Sequence, residues 1–343
     1  MLRSPRSLRR CQLIPAAVVA FLAIVGMASG KDALPDFAVA DTLQPRDPLS
    51  PHPRLLPDGT PLLADVKYAT IDGYRPLRLD LYGVGGSGPP RPLVVFLHGG
   101  GWYTGTPRSA GAFTNFPAVL STIANRGYAV AAVEYRLSGE ARFPAQLDDV
   151  REALRFLAAN AARFGIDADR VAVWGASSGA NLAALTASDC AAAATPPAAA
   201  ASPRLQPAPD RTCVDALVGW FGAYRLTGVD GNEAPKSSTL ALLGCTDAPC
   251  DPQALAAASP YDQVRPGAPP MLLLHGGADV QTPAGQSTRY ADRLREAGTA
   301  VEVVLLPEVG HGFIGATPAV TLEASQRAVA ATLDFLDRTL RRD

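Results

Sequence analysis

Apolar residues recur along this chain with two periods, and the periods alternate. Short, mainly apolar runs occur at Pro92–Leu97, Tyr128–Tyr135, Val171–Trp174, Ala216–Phe221, Pro270–His275 and Val301–Leu306, with Glu134 and Glu302 as the charged exceptions. All six predict strands, and the near-continuous apolar character of the first three predicts burial on both faces. Between them the spacing changes to three and four. Leu147, Val150, Leu154, Leu157 and Ala161 mark one face of a helix over 144–163, closed by Gly165. Val329, Leu333, Leu336 and Leu340 mark another near the C-terminus, and Ala180–Leu185 and Ser287–Ala297 also read as helical. Ahead of these, Asp65–Thr70 and Leu77–Tyr82 predict two more strands, the second alternating Leu77, Leu79 and Leu81. Strands alternating with helices predict the α/β class, with a mostly parallel central sheet and helices on both faces.

The two ends of the chain depart from this pattern. Residues 1–30 combine Arg3, Arg6, Arg9 and Arg10 with an apolar stretch, Leu13–Val25, and the small residues Ala28-Ser29-Gly30. That order predicts a secretory signal peptide, too short for a comfortable membrane span. Cys11 precedes the apolar stretch, which is the wrong side for lipoprotein acylation. Arg9-Arg10 hints at twin-arginine export, although Gln12 stands where an apolar residue is expected. Residues 31–62 are proline-rich and aperiodic, and predict an extended lead-in to a folded domain over 63–343. Ala191–Pro209 reads as a long mobile surface loop, and 222–266 as an irregular, cap-like insertion.

Composition narrows the partners. The 343 residues suit one large α/β domain or two small ones; 48% are hydrophobic and 18% charged, which is globular rather than disordered. A formal charge of −1 offers neither a nucleic-acid footprint nor a polybasic membrane patch. After signal removal four cysteines remain, and an even number in an exported chain predicts disulfides. Of the three connectivities, the local pairs Cys190–Cys213 and Cys245–Cys250 are expected. A zinc site fits worse, because the ligand spacing is wrong and the chain has four histidines in all. Gly83–Gly88 formally matches a dinucleotide fingerprint. Pro89 and Pro90 follow at once, so no helix opens there for a pyrophosphate, and a hairpin-type turn is expected instead.

Candidate chemistry centres on Ser177, in Gly175-Ala176-Ser177-Ser178-Gly179. A strand precedes it and a helix follows, and a serine at such a sharp turn stands clear of the backbone. His98-Gly99-Gly100-Gly101-Trp102 closes an earlier strand. Its glycines expose backbone N–H groups that can stabilise an oxyanion beside a nucleophile. A serine nucleophile needs a base. His52 lies in the lead-in, His98 in the glycine loop, and His275 in an apolar strand as a packed residue; elimination leaves His311, in the turn after the last strand. Asp279, in a loop after the strand ending at His275, is the expected orienting carboxylate, with Asp262 as the alternative. The order Ser, Asp, His is that of an α/β-hydrolase.

These stretches, with Tyr135-Arg136-Leu137, Phe143-Pro144-Ala145, Asp148-Asp149-Val150 and Ser259-Pro260, resemble the hormone-sensitive-lipase-like esterases. The branch they are most similar to is that of bacterial feruloyl and acetyl-xylan esterases, from about residue 63 to the C-terminus. The resemblance implies an α/β-hydrolase fold, Ser177 as nucleophile, His311 as base and Asp279 as its orienter. It assigns the oxyanion hole to the N–H groups of Gly100, Gly101 and Ser178, and gives Tyr135-Arg136 and Asp149 a structural role beneath the site. One departure stands out. Where the family has Ala-Gly-Gly after the nucleophile, this chain has Ser178-Gly179-Ala180, and the extra methyl is expected to press on the oxyanion loop.

The expected function is that of a secreted or periplasmic serine carboxylesterase acting on short-chain esters through an acyl-enzyme, with Trp102 and Tyr103 on the pocket wall. No metal or cofactor is implied, the partner is a small-molecule ester, and no stable membrane insertion is expected after processing. A serine peptidase of the prolyl-oligopeptidase type lacks room here for its propeller. A non-catalytic binder on the same fold would not need both Ser177 and His311.

Overall fold

Side chains alternate between the faces of a strand, and in this protein both faces are covered. The computed structural model describes residues 53–86, 88–193, 213–228, 230–231, 234–246 and 249–341. Nine strands form one sheet: β1 (Pro53–Leu55), β2 (Pro61–Ala69), β3 (Leu77–Tyr82), β4 (Arg91–Leu97), β5 (Ala129–Val133), β6 (Ile166–Ala176), β7 (Ala216–Trp220), β8 (Met271–Gly276) and β9 (Val301–Leu306). Their order is β1-β2-β3-β5-β4-β6-β7-β8-β9. The pairs β1–β2, β2–β3 and β3–β5 are antiparallel and all the others parallel.

Leu93, Val95 and Leu97 of β4 point to one face, Val94 and Phe96 to the other. The first face is covered by α2 (Ala145–Ala159), α3 (Ala161–Phe164), α4 (Ser178–Ala193) and α7 (Gly285–Glu296); the second by α1 (Phe116–Asn125) and α8 (Pro318–Leu340). On the second face an aromatic stack fixes the centre of the sheet. Phe96 meets Trp174 edge-on at 4.7 Å, and Trp174 meets Trp220 likewise at 4.7 Å. Such pairs add about 0.5–1.5 kcal/mol each beyond the area they bury.

The predicted class and most of the predicted elements are present, with four differences. The sheet starts earlier than expected, because β1 and the first residues of β2 lie within the proline-rich stretch. β1 is three exposed residues paired through the backbone, so it leaves no hydrophobic signature. The segment after β3 is not a hairpin: β5 lies between β3 and β4, so the glycines connect strands that are not neighbours. Helix α1, between β4 and β5, had not been predicted. The stretch 222–266 is less irregular than its prolines suggest and contains α5 (Ser237–Leu243), α6 (Pro252–Ala257) and a 3-10 turn at Pro260–Gln263.

The Cys245–Cys250 disulfide joins the segment between α5 and α6. The expected Cys190–Cys213 bridge is not formed; both are thiols. Cys190 packs on the flank of α4, where its Sγ accepts the Val214 N–H at 3.1 Å and donates to the Thr186 carbonyl. It adjoins Cys213 without a covalent bond, and burial pushes its thiol above the ordinary range. The expected signal peptide and most of the Ala/Pro-rich loop lie outside the described residues.

Candidate active site

From β4 the chain runs to β5 on one side and then to β6 on the other. The crevice beyond the C-terminal ends of strands at such a reversal is where α/β sheets bind ligands. Four strand ends deliver the candidate residues there: β4 the glycine loop, β6 Ser177, β8 Asp279 and β9 His311.

Ser177 sits between β6 and α4 with φ +54°, a left-handed conformation uncommon for serine. The turn is held by the Ser177 N–H on the Trp220 carbonyl at 2.8 Å and by the Asn181 side chain, which donates to the carbonyls of Ala223 and Ala258. Glycine at 179 is required by a close approach: a Cβ there would stand 2.1 Å from the Leu97 carbonyl oxygen and 2.5 Å from that of His98. This corrects the expectation for Ala180. Gly179 is the residue that abuts the end of β4, whereas the Ala180 methyl faces Gly222 beyond β7.

His311 opens a 3-10 turn, His311–Phe313. Its Nε2 lies 3.1 Å from Ser177 Oγ and its Nδ1 2.7 Å from Asp279 Oδ2. Asp279 is buried and also accepts the N–H groups of Gln281 and Thr282, at 2.9 and 2.7 Å. Burial pushes its carboxyl pKa up, but the hydrogen bonds from His275, His311 and Thr282 outweigh this and hold it well below the usual carboxylate range. It is therefore an anion that only accepts, so Nδ1 of His311 carries a proton toward it and Nε2 faces the serine hydroxyl. His275 is the packed residue expected from its strand, bonded to Ser287 Oγ and the Thr282 carbonyl. Its Nε2 also reaches Asp279, at 3.3 Å, a contact that no pattern in the sequence marks. Asp262 is exposed on the Pro260–Gln263 turn, and the carboxylate on His311 is that of Asp279.

In the glycine loop, Gly100 has φ +118°, and a Cβ there would lie 2.0 Å from the Thr104 carbonyl oxygen. Among the described residues no backbone acceptor takes the N–H of Gly100, Gly101 or Ser178. Ser178 opens α4, where an N–H has no partner within its own helix. Beneath the loop, Tyr135 donates to the His98 carbonyl at 2.8 Å, and Arg136 grips Asp149 through Nε and a terminal nitrogen. The His98 ring stacks on Tyr135 at 4.3 Å and donates from Nδ1 to the Gly99 carbonyl.

Burial lowers the His98 pKa to about 4. The unfolded chain takes up this proton near pH 6.5, where the folded chain refuses it. Stability is therefore full above pH 6.5 and declines as pH falls toward 4, by about 3 kcal/mol from this residue. The depressed Asp279 acts separately: its contribution is lost only below its unfolded value of about 3.8. Urea unfolding at pH 7 and pH 4.5 should show the decline in wild type and a shallower one in His98→Gln. Equal slopes would exclude His98 as its source.

A cavity of about 590 Å³ opens over Ser177 and His311. Tyr103 lines it and is 60% exposed, while Trp102 lines it from the core side at 3%. Phe221, whose ring stands edge-on to His311 at 5.0 Å, Arg225 and Gln286 also line it. Sequence reasoning missed all three. The available signal was position, since Phe221 and Arg225 follow the C-terminal end of a parallel strand.

A family model described as BD-FAE matches residues 79–294. Esterase LipC of Mycobacterium tuberculosis is 32% identical over 233 residues, 65% of this chain and 53% of LipC. The ethyl acetate hydrolase of Pseudomonas putida is 30% identical over 257 residues, 74% of this chain and 76% of that protein. The chain spans about half the length of LipC and of other mycobacterial relatives. Among solved structures, Thermogutta terrifontis esterase 2 phosphonylated by cyclosarin superposes with a TM-score of 0.61 at 25% identity, over 82% of this chain and 96% of that one. With the family match running from β3 into α7, and so through the sheet that carries Ser177 and Asp279, this α/β-hydrolase chain belongs to the BD-FAE family.

Proposed function

We propose that this protein is a serine carboxylesterase that hydrolyses short-chain carboxylic esters through an acyl-enzyme. The observation that carries the reading is the unbroken line Asp279–His311–Ser177 on the floor of the cavity, beside three N–H groups with no backbone acceptor among the described residues. Ser177 Oγ attacks the ester carbonyl and passes its proton to His311 Nε2, while Asp279 holds the imidazole and offsets its charge. The carbonyl oxygen becomes an anion within reach of the Gly100, Gly101 and Ser178 amides. His311 then protonates the departing alcohol, and water cleaves the acyl-enzyme by the same route. A fluorophosphonate probe should label Ser177, as cyclosarin phosphonylates the Thermogutta relative. Labelling at any other serine would overturn the assignment.

Substrate size follows from the cover. Helices α5 and α6 have seven and six residues, and the segment between them is closed by Cys245–Cys250. Neither is a long amphipathic helix suited to a lipid surface. The value of kcat/KM should peak between acetyl and butyryl esters and fall beyond roughly eight carbons, since each buried methylene contributes only ~0.8 kcal/mol and a short, stapled cover leaves a longer chain open to water. Preference for long-chain triglycerides, with activation at an oil–water interface, would refute this. We also place the protein in an oxidising compartment, secreted or periplasmic, which the Cys245–Cys250 bond supports.

A further inference from the structure

The cavity over Ser177 is charged with one sign. Arg225 and Lys236 both line it, and no Asp or Glu does among the described lining residues. Arg225 follows β7 by a few residues, beyond the Phe221 that touches His311. Its backbone is fixed from two sides. The N–H groups of Tyr224 and Arg225 donate to Gln286 Oε1 at 2.8 and 2.7 Å, and Gln286 Nε2 donates back to the Arg225 carbonyl at 2.9 Å. The guanidinium lies over the Tyr261 ring at 4.7 Å, and its Nε is buried without a hydrogen-bond partner.

No carboxylate compensates this charge among the described residues. Asp230 is a close acid in the chain, beside Gly231, where a Cβ would meet the Arg225 guanidinium at 2.3 Å. Asp230 is engaged elsewhere, with Arg289 at 2.5 Å. Lys236 donates to the Gln281 carbonyl, an acceptor that orients an ammonium without neutralising it. A guanidinium on a rigid backbone at the cavity wall, with no carboxylate on it among the described residues, is a receptor for a planar anion, because its two terminal nitrogens match a carboxylate. A crevice lined by one sign of charge also concentrates ligands of the opposite sign.

We infer that the site selects esters that carry a second, ionised carboxylate, with Arg225 as its receptor and Lys236 adding to the field. This rests on the ester-hydrolase reading above. Hydrolysis adds water across the ester, breaks the acyl C–O bond and releases an alcohol and an acid, one of which bears the extra carboxylate.

The test uses the full chain and two matched substrate pairs. Mono-4-nitrophenyl glutarate against 4-nitrophenyl valerate places the carboxylate in the acyl half; 4-acetoxybenzoate against 4-acetoxybenzamide places it in the alcohol half. Rates are corrected for uncatalysed hydrolysis. In at least one pair the anionic ester should be preferred about fivefold or more in kcat/KM, with the preference shrinking as salt is added. Arg225→Gln should bring that ratio to near one, chiefly through KM, and Arg225→Lys, which keeps the charge without the fork, should leave it in between. A wild-type ratio at or below one in both pairs overturns the inference, and so does a ratio that Arg225→Gln leaves unmoved. Should Arg225→Gln fail to fold, inhibition of wild type by glutarate against glutaramide decides the matter: equal inhibition overturns the inference. Turnover of the neutral esters that depends on Ser177, with flat ratios, leaves the esterase reading standing and removes this one. Turnover of no ester removes both.

Discussion

Ser177→Ala should lower ester turnover by about 10⁶, because losing the proposed nucleophile of a triad removes nearly all that the three residues do together. The expected loss follows from the local geometry. His311 Nε2 lies 3.1 Å from Ser177 Oγ, and without that oxygen the imidazole has only solvent water to activate. The amides of Gly100, Gly101 and Ser178 remain, so a residual rate of about 10³ over the uncatalysed reaction is expected. The fold should hold. Alanine fits the φ of +54° no worse than serine, and the turn is anchored by the backbone bond to Trp220 and by Asn181. Kinetics with 4-nitrophenyl acetate, beside thermal unfolding, test both halves. Retention of more than about one part in a hundred of wild-type kcat/KM would remove Ser177 from the nucleophile's role.

Why was Ser177 legible in the sequence and Arg225 not? The strands around the serine are buried on both faces, so β4, β6, β7 and β8 stand out as apolar runs. The glycines that flank it are dictated by backbone approaches no side chain could tolerate. Such constraints are local and leave their mark in the letters. Strand β9 is legible from its mainly apolar run alone, since at the sheet edge only Leu306 of its six residues is buried. β1 was not, since an exposed edge strand of three residues needs only backbone partners. The Cys190 pairing failed for a different reason. Cysteine spacing says which thiols lie near one another in the chain, but not that Cys190 is engaged by Val214 N–H and the Thr186 carbonyl on the flank of α4. Arg225 and Gln286 are brought together by the fold alone, across 61 residues. No motif marks them, and what selects them is where β7 and α7 end up.

Asp279→Asn should reduce kcat by about 10⁴ with little change in KM, because the orienting carboxylate sets the tautomer of the base. Four donors converge on this one carboxyl: His311 Nδ1 at 2.7 Å, His275 Nε2 at 3.3 Å, and the Gln281 and Thr282 amides at 2.9 and 2.7 Å. An anion satisfies all of them. An asparagine has one acceptor oxygen and an NH₂ group, so at least one of its faces must turn a donor toward a donor. If the oxygen keeps the backbone amides, which fix the loop, the NH₂ confronts His311. The imidazole can then answer only by moving its proton to Nε2, where it blocks acceptance from Ser177. The same substitution removes the charge that offsets the imidazolium formed during attack. His311→Ala should cost nearly as much as Ser177→Ala, the residues acting as one unit. Asp262→Asn, at an exposed carboxylate on the Pro260–Gln263 turn, should stay within about twofold of wild type, in keeping with a surface change remote from the chemistry. The comparison is decisive in either direction: if Asp262→Asn proves the more damaging, Asp279 does not orient the base, and the four donors around it serve the loop rather than the reaction.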